Sequence, residues 1–492
     1  MGVILKYGSL LLLSLLTAVS CGNKAGTESL LPISRKALGD STSIYYGDFK
    51  DYPADLPRLA IGVFDGSPDG FAVVEKLLTI DNYDNITGRP VHDGIADFGG
   101  EYIQILFDAA NGPYGGYIDG GNIDFLKEQL IRNTIFLTGT RYYNLAVDEY
   151  QSGFKDPVKL VIVSSPVADL YGMNDISSLL EYSGTGVRAV GVIDAGIRKA
   201  LSDVDSDGNL SVGVLYSSDG VPSKEYETAI RNMAADYGVD GMLQIFNQEG
   251  IGIDEAIQGD PAYIDTSATV ARSGYAGPVS GISYNNLDVS LLDRYGFDYS
   301  GNAMLFPKGK RTISEVQLNS IENYVRYHLV SMVERHRRSG SRIPLASIIL
   351  ADCSFNQVRD IMEEVMRELY DYKRGGIYLY RTSISADFKF IDPVECAAAE
   401  AYSILREDGN LALRGEKSRI ESFISLPSTS VPDDSLTVSG YMEDSFKYTR
   451  KSGTEDVTTK IVPFAPRYIS EDVFRQIENN KETYLLIRNS LY

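Results

Sequence analysis

Seven short apolar runs in this chain end in residues able to move protons or hold a polar ligand. The ends read Asp65-Gly66-Ser67, Asp108, Ser164-Ser165, Asp194, Ser217-Ser218, Asp352-Cys353-Ser354 and Asp392. They are carboxylates, hydroxyls and a single thiol. A thiol, with a reference pKa of about 8.5, can exchange a proton with an acidic carbon when its surroundings favour the thiolate; a hydroxyl cannot without a strong activator. The histidines His92, His328 and His336 lie far apart and form no H-x-x-x-H pair. No metal site is expected from them. The stretch from Asp203 to Asn209 alternates oxygen ligands like half a calcium loop, but its twelfth position is Val214 rather than a glutamate. An acidic surface turn is the expectation there.

The runs that must position these residues span 59–64, 103–107, 160–163, 189–193, 211–216, 347–351 and 388–391. They are continuously apolar rather than alternating, the pattern of parallel strands covered on both faces. Between them, apolar residues at three- and four-residue spacing predict helices over 123–137, 223–237, 314–338 and 356–372. An α/β fold follows, and in parallel α/β sheets ligands sit beyond the carboxyl ends of the strands. The rhythm fails between 240 and 310, which predicts an inserted excursion, and again after 408, where a proline-rich tail ends in an expected helix over 470–480.

The chain has 492 residues, enough for two to four domains at roughly 100 to 200 residues each. Its 46 Lys and Arg against 67 Asp and Glu give a net charge of −21, which argues against nucleic acid as a partner. At the N-terminus Lys6 precedes an apolar run over 10–16 and then Thr17-Ala18-Val19-Ser20-Cys21. That run is too short to span a bilayer and has the form of a signal peptide. It resembles a bacterial lipoprotein signal, which implies cleavage after residue 20, acyl chains such as palmitate on Cys21, a tether over 21–57, and a place on a membrane of the cell envelope, at the outer membrane or facing the periplasm. An ordinary cleaved signal with an incidental cysteine is the alternative.

Taken in order, the strand ends resemble the glutamate racemase branch of the aspartate/glutamate racemase superfamily. Ile61-Gly62-Val63-Phe64-Asp65-Gly66-Ser67 is similar to that family's I-G-V-F-D-S-G, and Asp108-Ala109-Ala110-Asn111-Gly112-Pro113-Tyr114-Gly115 to its D-T-A-R-V-P-Y-G. Gly191-Val192-Ile193-Asp194-Ala195-Gly196 is similar to G-V-I-E-P-G. Gly213-Val214-Leu215-Tyr216-Ser217, with Val221, Ser223 and Tyr226, follows G-V-x-x-T-x-x-T-V-x-S-x-x-Y, and Ile391-Asp392-Pro393 with Glu395 follows I-D-x-x-E.

The resemblance implies two similar parallel-sheet α/β lobes with an interlobe cleft, built from 58–240 and 311–408, with 241–310 as an insertion and 409–492 as a C-terminal extension. It implies cofactor-free chemistry in which two thiols flank the α-carbon of an amino acid. On this pattern Cys353, Ser164 and Asp65 are the candidate catalytic residues. Gly66, Ser67, Pro113, Tyr114, Gly115, Ser165, Ser217 and Ser354 are candidates to bind a small carboxylate or amino acid. The pattern breaks where the chemistry is most demanding. Ser164 stands where the family has its first cysteine, and Phe355 stands where a histidine follows the second. Asp352 beside Cys353 would raise the thiol pKa rather than lower it. Two roles stay open: a degenerate enzyme working through Cys353 alone, or a non-catalytic ligand-binding or envelope-interaction protein; a third, a sugar- or peptide-binding periplasmic receptor, is favoured by nothing at the strand ends. Asp65 as a helix cap, Cys353 as a small buried residue and Pro113-Tyr114-Gly115 as a plain turn are the structural alternatives. Cys396, on an alanine-rich helical stretch, is expected in the core.

Overall fold

In the computed structural model, which describes residues 29–47, 49–217, 221–280, 286–309, 315–413, 415–454 and 457–490, the continuously apolar runs are buried strands of two sheets. In chain order the strands are β1 (Ala60–Asp65), β2 (Tyr102–Phe107), β3 (Val158–Val163), β4 (Arg188–Gly191), β5 (Leu210–Tyr216), β6 (Leu243–Glu249), β7 (Leu345–Leu350), β8 (Ile384–Ile391), β9 (Arg419–Pro427) and β10 (Thr459–Pro463). The first sheet has the order β10-β9-β2-β1-β3-β4, parallel except for β10. The second has the order β8-β7-β5-β6 and is all parallel. Every residue of β1, β2, β3 and β5 is buried, as sheets covered on both faces require.

The covering helices used below are α1 (Gly70–Thr79), α2 (Ile123–Thr138), α3 (Pro166–Ser183), α4 (Val192–Leu201), α5 (Ser223–Asp236), α6 (Ile321–Arg338), α7 (Arg359–Asp371), α8 (Pro393–Glu407), α9 (Glu471–Asn479) and α10 (Lys481–Ser490). Two of them start later than the periodicity predicts. Gln317 and Leu318 pair with Leu305 and Met304 before α6, and Ser320 then caps it by accepting from the Asn323 amide at 3.2 Å. Ahead of α7, residues Cys353–Val358 wind as a 3₁₀ turn under an Asp352 cap. Asp194, expected at a strand end, lies in the first turn of α4. There the Asp169 carboxylate accepts from the amides of Ile193 (2.6 Å) and Asp194 (3.0 Å).

Two expected boundaries move. The stretch expected as an insertion begins with β6, a full member of the second sheet, so the excursion starts after Glu249. The segment after 408, expected as an extension, belongs to the first lobe. It supplies β9 and β10, and α10 packs against α1 and β9. The lobes therefore differ in size, six strands against four.

A continuous apolar core joins the lobes. It runs from Val63 and Ile162 of the first sheet through Ile197 of α4 and Ala397 of α8 to Val214 and Ile349 of the second. A separate cluster around Tyr295, Tyr324, Met332 and Phe355 fills the far side of the second lobe. Among the described residues no helix is long and apolar enough to cross a membrane. Residues 1–20 and Cys21, carrying the signal and lipidation expectations, lie outside the described residues.

Candidate functional site

Because β1 lies between β2 and β3, their carboxyl ends bring Asp65, Asp108 and Ser164 side by side. The Ser164 hydroxyl reaches the Asp65 Oδ2 at 2.5 Å, with the Phe64 carbonyl at 2.9 Å as its other acceptor. Asp65 Oδ1 accepts from the Ser67 amide (2.9 Å) and hydroxyl (3.1 Å), and the same hydroxyl lies 3.0 Å from Asp69 Oδ2. Burial pushes the Asp65 carboxyl up to about 6, against the lowering effect of the bonds from Ser164 and Ser67. Gly70 lets α1 approach: a Cβ there would stand 3.0 Å from the Asp65 Cβ.

The second lobe brings Cys353 to the same place from the end of β7. A cavity of about 30 Å³ at the joint is lined by Ser164 and Asp69 on one side and by Asp352 and Cys353 on the other, closed by Val192 and Pro393. Burial pushes the Cys353 thiol well above its usual range, and Asp69, Asp352, Asp65 and Asp254 add to the shift by repulsion. Asp254 is itself raised to about 6, by burial first and then by Asp352. No basic residue lines the cavity among the described residues. Asp69 and Asp254 were not singled out by sequence reasoning. Asp69 follows the first strand motif closely enough to have been considered, whereas Asp254 arrives from the excursion with no local signal.

The other predicted site residues serve different partners. Gly66 packs under Tyr114, where a Cβ would meet the ring at 2.9 Å, and a Cβ on Gly112 would fall 1.7 Å from the Gly66 carbonyl oxygen. The Tyr114 hydroxyl donates to Asp108 Oδ2 (2.9 Å), which also accepts from Asn133 (2.8 Å). Asp108 Oδ1 accepts from Asn111 (2.7 Å) and from Ser425 of β9 (2.6 Å). Pro113 is exposed and its carbonyl accepts from Tyr448; Gly115 opens a short helix. Ser165 caps α3 by accepting from the Ala168 amide at 3.4 Å. Ser217, at the end of β5, and Ser354, whose amide donates to Asp352 at 2.8 Å, do not line the cavity.

The tail locks the 108–117 loop from outside. Arg450, buried, donates to Asn111 Oδ1 and the Tyr117 hydroxyl, both at 2.6 Å, and Lys447 donates to the Gly112 carbonyl at 2.9 Å. Cys396 lies half-buried on α8 with its thiol pushed up to about 12, chiefly by burial. Among the described residues no group of His, Cys, Asp or Glu is disposed to hold a metal ion, and the Asp203–Asn209 stretch is a turn in which Asp205 accepts from the Asp207 and Asn209 amides.

A site of this kind holds a protonated thiol beside a carboxyl that titrates near pH 6. Its volume suits a water or two, since a water needs roughly 10–15 Å³ of such space. Small-molecule sites run to roughly 300–1,000 Å³.

No family model matches the sequence, and no curated protein matches it. Solved structures similar to it include three glutamate racemases. Isoform RacE1 from Bacillus anthracis has a TM-score of 0.40 at 14% identity, over 75% of this chain and 89% of that one. The enzyme from Francisella tularensis, in complex with D-glutamate, has a TM-score of 0.37 at 15% identity, over 77% and 90%. The enzyme from Campylobacter jejuni has a TM-score of 0.36 at 14% identity, over 74% and 92%.

Proposed function

We propose that the chain is an envelope lipoprotein, tethered through an acylated Cys21, whose two-lobed body resembles glutamate racemase in its strand-end motifs but works as a binding protein rather than as a two-base racemase. The observation that carries this reading is the 30 Å³ interlobe cavity, walled by Asp69, Asp352, Ser164 and Cys353 with no cation among the described residues to receive an α-carboxylate. Two-base racemisation needs a thiolate on one face and a thiol on the other. Here one group is a hydroxyl bonded to Asp65, and the other is a thiol that burial and carboxylates keep protonated.

A second reading, one-sided chemistry at an α-carbon, is favoured by Asp65, which near pH 6 has the basicity of a working general base and already holds the Ser164 hydroxyl. The two readings separate in deuterated water with D- and L-glutamate and D- and L-aspartate. The binding reading expects no α-proton exchange with any of the four. Exchange of one enantiomer, abolished by Asp65→Asn, would establish the second reading instead. Mass spectrometry of the mature N-terminus tests the tether: a diacylated or triacylated Cys21 is expected, and an unmodified chain starting elsewhere rules it out.

A further inference from the structure

A second hollow lies well away from the interlobe cleft. A cavity of about 530 Å³ lies in the first lobe, between α2, the lead-in turn at Tyr45, the two-stranded pairing of Arg141–Tyr142 with Gly153–Phe154, and strands β9 and β10. It shares no wall residue with the cleft cavity. Its size falls within the range of small-molecule sites.

Its floor holds a polar group without a partner. Gln129 on α2 is 1% exposed; its Oε1 accepts from Arg132 Nη1 at 2.7 Å, while its Nε2 meets no acceptor among the described residues. Since arginine only donates, the amide is fixed with its NH₂ group away from Arg132. A buried donor left unpaired is costly; Nε2 itself presents almost no surface to the cavity, and a small turn of the amide would bring it to an acceptor oxygen of a ligand there. The Asp108 carboxylate on the same floor already takes four donors, so it makes little further demand on a ligand.

The walls add charge and hydroxyls. Arg132, Arg141 and Lys460 line the cavity of a chain whose net charge is −21, with Glu149 on the wall as a carboxylate besides Asp108. Neither Arg141 nor Lys460 forms an ion pair among the described residues; their cationic groups rest over the rings of Phe154 and Tyr143, and the Lys460 ammonium also donates to the Asp148 carbonyl. Ser428, Ser430 and Thr459 supply hydroxyls, and Phe136 and Tyr143 supply rings. Hydroxyls and amides beside aromatic rings suit a ligand with hydroxyl edges and an apolar C–H face, and the cations suit a carboxylate on it.

The geometry points to this cavity as the binding site for an acidic sugar, of uronic-acid or sialic-acid type, free or at the end of a glycan. This deepens the binding-protein reading by giving it a ligand class, and rests on that reading only in taking the chain to bind rather than to turn over. The exchange assay interrogates the cleft and a binding assay interrogates the cavity, so the two ideas fail separately.

The test is titration calorimetry of the whole mature protein with glucuronic acid, N-acetylneuraminic acid, glucose and acetate, with an oligosaccharide ending in either acid to separate free from glycan-borne ligands. At least one acidic sugar is expected to bind, with glucose and acetate weaker by about tenfold or more and affinity falling with salt. Lys460→Gln and Arg141→Gln at the rim should each weaken binding about fivefold. Gln129→Met should weaken it by about tenfold or more. Arg367→Gln, on the far surface of the second lobe, should leave it unchanged. Should Gln129→Met fail to fold, the two rim variants decide. Absence of binding by both acids at millimolar concentration overturns the proposal. So does equal affinity for glucose, or affinity indifferent to both rim variants.

Discussion

The Ser164 hydroxyl and the Asp65 carboxylate lie 2.5 Å apart across the ends of adjacent parallel strands, and this bond occupies the place where the resemblance puts a catalytic thiol. It joins a hydroxyl too weak to act as a base to a carboxyl raised to about 6 by burial. The raised value has a thermodynamic consequence. Between about pH 4 and pH 6 the folded chain keeps a proton on Asp65 that the unfolded chain has released, so the stability linked to this group is full below about pH 4 and is lost as pH rises through 6. The loss is about 3 kcal/mol at most.

Asp65→Asn should remove that loss. The amide oxygen can still accept from Ser67, its NH₂ can donate to Ser164, and Ser164 keeps its donation to Phe64. Urea denaturation at pH 7.5 should show the variant more stable than the parent by about 1–3 kcal/mol, with the difference vanishing near pH 4. Equal stability at both pH values would show that Asp65 carries no such cost.

The thiols make a kinetic prediction. Cys396 is raised to about 12 and Cys353 is raised well above its usual range, so at pH 7.5 both are overwhelmingly protonated. For Cys396 that means about a thousandfold less thiolate than an unperturbed cysteine. Peptide mapping after iodoacetamide treatment should find both cysteines labelled at least about a hundredfold more slowly than in urea. Asp352→Asn keeps the cap on the 353–358 turn, since Asn caps as well as Asp, and removes one repelling charge. It should speed Cys353 labelling; unchanged or slower labelling counts against the carboxylate effect.

The strands of the two sheets were legible because runs such as 59–64 and 160–163 are unbroken by polar residues. The missed elements are those whose polar residues have structural work. In β9, Ser422 and Ser425 are buried among Ile420, Phe423 and Ile424, and Ser425 is there to donate to Asp108, so the strand reads neither as a continuous nor as an alternating run. β6 carries Gln244, Asn247 and Gln248 because it is the edge of its sheet. The candidate site divides the same way. Asp65, Ser164 and Cys353 follow from strand ends, whereas Asp254 comes near Cys353 only through the fold of the second lobe.

Since β9, β10 and α10 complete the first lobe, deleting residues 409–492 should leave no folded monomer, with β2 unpaired on one side and Asp108 short of a donor. The graded version is Ser425→Ala, which removes one of the four donors to a fully buried carboxylate and should cost about 1–3 kcal/mol. Arg450→Met, freeing Asn111 and Tyr117 of their shared partner, should cost a similar amount. A truncated chain that melts cooperatively near the full-length temperature would return the tail to the status of an appendage.

Ser164→Cys tests whether a second thiol beside Cys353 gives the cleft any α-proton exchange. Sulfur is larger than oxygen and would enter a cavity of about 30 Å³, reducing room that is already too small for an amino acid. Its neighbour would be Asp65, whose charge above pH 6 raises a thiol pKa, as Asp352 and Asp69 do for Cys353. Both thiols would then be protonated at neutral pH, and among the described residues no cation lines the cavity to orient the α-carboxylate between them. Proton NMR in deuterated water at pH 8 should therefore show no loss of the α-proton signal of D- or L-glutamate with the variant. Measurable loss with both enantiomers would mean that the lobes part to admit substrate and that the serine had been the whole obstacle to racemisation.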